Sequence, residues 1–185
     1  MLQKLFILLV MLPMSMLGQT KFTSKKYNYS FVIPKGWHQK DQIINPDVDA
    51  KIVDGKGNSF IVTVNTFQTA TDLNARQQFE ELSDQEMEEQ FNALYSNAKI
   101  VKRGIINIAQ TEFYYLHLFT SYSNGVNLYH KLFFYSEGYK MLTIDAASFE
   151  SDIDKTTSYF SVMLSTFEFL IPNNQPKATP IFREL

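Results

Sequence analysis

Few residues in this chain have the type and spacing to do chemistry. Two of its three histidines, His117 and His130, fall on consecutive strand-like runs joined by Asn124-Gly125. If those two residues are the centre of a tight turn, His117 faces Leu132 and His130 faces Phe119. Both imidazoles then share one sheet face, diagonal to each other at roughly 7 to 8 Å, within reach of a bridging ion or ligand. A metal site wants a third or fourth ligand. Their same-face neighbours Tyr115, Phe119, Leu128, Leu132 and Phe134 favour hydrogen-bonded histidines in a half-buried layer, so no metal or other cofactor is expected.

Other candidates fail on spacing. Gly57-Asn58-Ser59-Phe60-Ile61 resembles a nucleophile elbow but lacks the second glycine, and no helix follows it. Asp54-Gly55-Lys56-Gly57-Asn58 places a lysine where a calcium loop needs a carboxylate. There is no His-Glu-x-x-His, and no Asp and His are expected to pair on facing strands as base and orienter. The chain is therefore expected not to be an enzyme.

A second kind of site is a charged face. Between Arg76 and Lys99 no basic residue interrupts Glu80, Glu81, Asp84, Glu86, Glu88 and Glu89. Such a run is ordinary on a solvated helix, and it is also a surface that a basic partner can recognise. Glu80, Glu81, Asp84 and Glu88 are the candidate partner-binding residues. The tyrosines of the 114–139 region offer an alternative binding face.

The elements that position these residues are legible in the patterning. Residues 1–18 combine Lys4, an apolar run from Leu5 to Leu12, and small residues near Ser15 and Gly18, the make-up of a secretory signal peptide. The Leu-Gly-Gln at its end resembles the exported proteins of Bacteroidetes-type bacteria. No other stretch approaches roughly 18 apolar residues, so no transmembrane segment is expected in the mature chain, which would be periplasmic or secreted. Cysteine is absent, so neither a disulfide framework nor a lipidated cysteine is available. An exported domain without disulfides must stabilise itself by core burial, for which about 165 residues suffice. Removing Lys4 leaves 16 basic residues against 19 acidic, a net charge of 16 − 19 = −3, and nothing here points to nucleic acid.

Residues 19–28 are polar and basic, and a flexible leader is expected. Tyr29 to Ile33 predicts a strand that Pro34 stops; Gly36 turns the chain, and Trp37 folds back as a core anchor. Lys51 to Phe67 predicts a hairpin burying Ile61, Val62, Val64 and Phe67. Asp72 to Asn97 predicts helix, with Ser83 to Glu86 as a capping box and Met87, Phe91, Leu94 and Tyr95 on one side. Ala98 to Ala147 reads as a strand meander turning at 109–111, 124–125 and 137–138, apolar on both faces and so covered on both. A last helix from about Asp152 to Ser165, capped by Ser151 or Asp152, is the expected second cover. A strand from Phe167 to Ile171 follows, and residues 172–185 form a loose, proline-bearing tail. Residues 29–171 are expected to be one domain: α+β, a twisted antiparallel β-sheet with helices packed on its faces.

That order of parts, with "YSFVIPKGW", "INIAQTEFYYL", "GYKMLTIDAA" and "LSTFEFL", is similar to the PsbP-like family over residues 27 to 171. The same α/β/α sandwich occurs in a Ran-binding nuclear import factor and in bacterial envelope proteins. The resemblance implies a non-catalytic accessory role exercised by docking on a protein partner in the envelope. It carries over no docking residue, because the quoted motifs mark the fold alone. The second reading is a protein that binds a small ligand or metal in a pocket between sheet and helix near His117 and His130.

Overall fold

In the computed structural model, which describes residues 20–41, 44–68 and 75–170, ten strands form two sheets. The three-stranded sheet contains β1 (Thr20–Ser24), β2 (Tyr29–Ile33) and β10 (Glu168–Phe169), with β2 central. The seven-stranded sheet contains β3 (His38–Gln39), β4 (Val48–Val53), β5 (Ser59–Thr66), β6 (Lys99–Ile108), β7 (Thr111–Ser121), β8 (Asn127–Glu137) and β9 (Lys140–Phe149). Its spatial order is β3-β4-β5-β9-β8-β7-β6, antiparallel throughout and not closed. Three α-helices, α1 (Ala75–Glu80), α2 (Asp84–Phe91) and α3 (Ile153–Ser165), and a short 3-10 turn at Glu150–Asp152 complete the elements of the described residues.

Each face of the large sheet is covered by a different layer. On one face α1 and α2 lay Ala75, Met87 and Phe91 over Leu116, Leu118, Leu132 and Phe134. On the other, the small sheet and α3 bury Tyr29, Phe31, Phe160 and Phe167 against Phe60, Phe113 and Ile144. Both alternating sets of the meander are thus buried, which is why those strands read as apolar throughout. The second cover differs from expectation: α3 shares that role with the small sheet.

The leader is the clearest correction. Thr20 to Ser24 is not flexible but pairs with β2 from Thr20↔Ile33 to Ser24↔Tyr29. Phe22 and Ser24 point inward while Lys21 and Thr23 face out. An edge strand with one solvated face carries polar composition that resembles a linker. The expected 72–97 helix is two helices, because Ser83 caps a fresh start: its Oγ accepts from the Glu86 amide, and the Glu86 carboxylate accepts from the Ser83 N–H at 2.8 Å. Leu94 is exposed rather than packed, and so is Phe67, while Ile61 is half-buried and Phe60 takes the buried place in β5. Residues 1–18, expected as a signal peptide, and the tail at 172–185 lie outside the described residues.

Trp37 resolves as a corner. The Pro34 carbonyl accepts the Trp37 N–H at 3.1 Å, and Gly36 supplies the positive φ of 87° that this turn needs. The indole then meets Phe160 of α3 edge-on at 5.5 Å. The glycine-rich hairpin tip is also structural. Asp54 accepts the Lys56 amide at 2.8 Å and the Asn58 amide at 3.2 Å, and Asn58 Oδ1 in turn accepts the Phe149 N–H at 3.0 Å. Gly57 lies so close to Phe149 that a Cβ there would come within 2.6 Å of the ring. Asp152 sits at the N-cap of α3, but its side chain makes no cap bond and instead accepts from Asn58 Nδ2 at 3.2 Å.

Candidate functional site

The histidine pair depends on the β7–β8 turn, and that turn has three loop residues, not two. Tyr122 and Val126 close it, with Tyr122 N–H donating to the Val126 carbonyl at 2.9 Å and Gly125 at φ 80°. The added residue shifts the register by one, so His117 pairs with Lys131 and His130 with Leu118. A one-residue slip moves a side chain to the opposite face. His117 therefore belongs to the face covered by the small sheet and α3, and His130 to the face under α1 and α2. The two imidazoles cannot share an ion. Among the described residues no group of three or more His, Cys, Asp or Glu is placed to hold a metal.

His117 sits half-buried against Tyr129, whose hydroxyl lies 3.0 Å from Nδ1, and Tyr115. Burial pushes its pKa down to about 4, and the ammonium groups of Lys131 and Lys102 add to the effect. In the unfolded chain the same imidazole titrates near 6.5. As pH falls from about 6.5 towards 4 the unfolded state takes up this proton first, so His117 lowers stability progressively; above about 6.5 both states are neutral and its effect is flat. Urea unfolding of His117→Gln should show a shallower acid loss over that window than the wild type. Parallel curves would mean that the folded imidazole protonates as readily as a free one.

His130 is 3% exposed and lies at the centre of a network that sequence reasoning did not expect. Its Nδ1 is 3.1 Å from Asp145 Oδ1 of the neighbouring strand β9, and its Nε2 is 3.4 Å from Thr120 Oγ1 of β7. Tyr95, just beyond α2, lies tilted against the imidazole with ring centres 4.7 Å apart and directs its hydroxyl to Asp145 at 3.4 Å. Burial, with Asp145 alongside, drives the Tyr95 phenol well above its usual range, so it stays a donor. An Asp and a His are thus paired on facing strands, contrary to expectation, and a hydroxyl completes the order hydroxyl, imidazole, carboxylate. Thr120 is fully buried, however, and no substrate atom reaches its oxygen from the surface seen here. The arrangement satisfies buried polar groups across three strands and a helix end. Its signal in the sequence was Asp145, a lone carboxylate inside the apolar run Leu142 to Ala147.

The acidic run is brought to one flank and engaged there. Glu80 pairs with Arg76 at 2.7 Å, Asp84 with Arg103 at 3.0 Å, and Glu88 with Lys99 at 2.8 Å. Glu88 also accepts the Ile100 amide at 2.9 Å, and together Lys99 and that amide hold its carboxyl below the usual range. Glu81 is exposed at the end of α1. The pairs of Asp84 and Glu88 fasten α2 to β6, and Arg103 also donates to the Phe79 carbonyl of α1 at 3.4 Å, whereas the Glu80 pair lies within α1. Of the meander tyrosines, Tyr114 and Tyr115 are buried, whereas Tyr139 stands out from the β8–β9 turn.

A cleft of about 670 Å³ opens elsewhere, between the β1–β2 turn, the β8–β9 turn and β10, and neither His117 nor His130 lines it. No helix among the described residues is long and apolar enough to cross a membrane.

No protein-family model and no curated protein matches the chain. Solved structures do. The cyanobacterial PsbP protein CyanoP of Synechocystis superimposes with a TM-score of 0.62 at 17% identity, over 82% of this chain and 92% of that one. LpqN, involved in cell envelope biogenesis of Mycobacterium tuberculosis, gives 0.57 at 8% identity over 81% and 89%. A protein of Bacteroides thetaiotaomicron gives 0.56 at 13% identity over 83% of this chain but only 49% of its own. The layered α+β body built above, one sheet covered on both faces, is therefore a PsbP-like fold, shared with a protein involved in cell envelope biogenesis.

Proposed function

We propose that this chain is an exported, non-enzymatic accessory module of the bacterial cell envelope that works by binding a protein partner, with residues 29–171 and the added strand β1 forming one domain. The observation that carries the reading is the fate of the ionisable groups. Among the described residues the convergent set of Thr120, His130 and Asp145 has its hydroxyl and imidazole buried, with the Asp145 carboxylate 18% exposed, while the carboxylates of α1 and α2 gather on one exposed flank. The fold likeness to CyanoP and to LpqN supports it.

The partner surface is the flank of α1 and α2. Glu81 is exposed there, and the carboxylates of Glu80 and Asp84 are 39% and 62% exposed although paired. Exposed pairs of this kind contribute little to stability, roughly 0 to 1 kcal/mol. A basic partner can therefore replace Arg76 and Arg103 at small cost. Glu88 is more constrained, because it also holds the Ile100 amide.

Affinity capture from native envelope, with crosslinking, tests this. The wild type should recover one defined partner, and reversal of Glu80, Glu81 and Asp84 to lysine should reduce recovery at least tenfold without moving the unfolding midpoint. Equal recovery by the reversed variant would remove the acidic flank as the interface. The reading near His117 and His130 has no comparable support, since the two histidines face apart.

A further inference from the structure

The 670 Å³ cleft lies at the end of the two-sheet layer opposite Trp37, where Tyr27 and Asn28 of the β1–β2 turn, Glu137 and Lys140 of the β8–β9 turn, and Phe169 of β10 leave a gap. Its inner wall is apolar and aromatic: Val64, Leu142, Tyr135 and Phe169. Tyr135 and Phe169 lie 5.4 Å apart there, continuous with the core through Phe113. The size falls within the range of pockets that hold small organic ligands.

Its mouth is cationic. The Lys26 ammonium lies 4.7 Å from the centre of the Tyr27 ring, and the Lys140 ammonium 5.8 Å from the same ring. Among the described residues neither ammonium has a carboxylate within 4 Å. The nearby acids are otherwise engaged: Glu137 accepts the Tyr135 hydroxyl at 2.8 Å, and Asp49, which acts on Lys26 together with Asp47, accepts the Tyr29 hydroxyl at 2.7 Å. Two like charges gathered on one ring repel each other, and an anion placed between them relieves that repulsion. Among the residues that line the cleft, Lys26, Lys140 and Glu137 leave one excess positive charge, which matches a monoanion.

We propose that this cleft binds a free long-chain carboxylate, with its hydrocarbon body along Val64, Leu142, Tyr135 and Phe169 and its anionic end between Lys26 and Lys140. The apolar wall supplies affinity by burial, and the two ammonium groups orient the chain and select the charged end.

Calorimetric titration of the full chain with dodecanoate, below its micellar concentration, should give saturable binding in the micromolar range. Dodecanol, with the same chain and no charge, should bind at least tenfold more weakly, and acetate should give no heat. Lys26→Met and Lys140→Met should each weaken dodecanoate about tenfold, the loss of one charge-assisted contact, with the unfolding midpoint unchanged. Absence of saturable heat with dodecanoate, equal binding of dodecanol, or unaltered binding in both lysine variants would each overturn the proposal. Co-sedimentation of the chain with phosphatidylglycerol vesicles would overturn it too, replacing a free acid by a lipid surface.

Discussion

Truncating Phe31 to alanine lowers the unfolding free energy by about 4 kcal/mol, the cost of removing a buried aromatic ring and leaving a cavity. Phe31 is fully buried in the layer between the two sheets. Its ring centre lies 5.2 Å from those of both Phe22 and Phe60, and 6.2 Å from that of Phe167. It therefore joins β1, the large sheet and the segment after α3 through one side chain. The loss should appear as a lower urea midpoint with an unchanged slope, because the same surface is exposed on unfolding. Phe31→Leu keeps most of the volume and should cost roughly a third as much. A loss under about 1 kcal/mol for the alanine variant would show that the small sheet is not part of the cooperative core.

The second large effect belongs to Asp145. Replacing it with alanine leaves His130 Nδ1 and the Tyr95 hydroxyl buried without their acceptor, which costs about 3 kcal/mol. Asp145→Asn keeps an acceptor in place and should lose about 1 kcal/mol. The network reading makes a sharper demand on the pair. Once His130 is already leucine, removing the Asp145 carboxylate should cost at least 1 kcal/mol less than it does in the wild type, because the unpaired groups disappear together. Strict additivity would show that the imidazole and the carboxylate are not coupled.

Much of the architecture was written in local patterning. The Ser83 capping box, the Pro34-Gly36-Trp37 corner, the β4–β5 hairpin and the strand meander depend on residues within a few positions of one another, so composition and spacing reveal them. The strand β1 escaped because Thr20, Lys21 and Thr23 belong to a solvated edge, and its single buried aromatic, Phe22, gains meaning only once β2 lies beside it. The helix break at Leu82 and Ser83 is marked by the capping box, whose spacing alone does not say whether another helix precedes it.

The site was far less legible, for a geometric reason. Whether His117 and His130 share a face depends on one residue in the loop after Ser121, and three loop residues instead of two reversed the answer. The acidic residues were visible as a run, but their partners Arg103 and Lys99 lie on a strand that only packing brings under the helices.

By itself the amino-acid sequence determined most of the element order from β2 onward, the absence of cysteine chemistry and the two-faced apolar meander, and it carried the resemblance to the PsbP-like fold. The tertiary structure alone decided which ionisable groups meet: Asp145 with His130, Asp84 with Arg103, and Lys26 with Lys140 around Tyr27. Local propensity acts over a few bonds, whereas a meeting of side chains is set by register and layer contact between strands far apart in the chain, where a single inserted residue exchanges inside for outside.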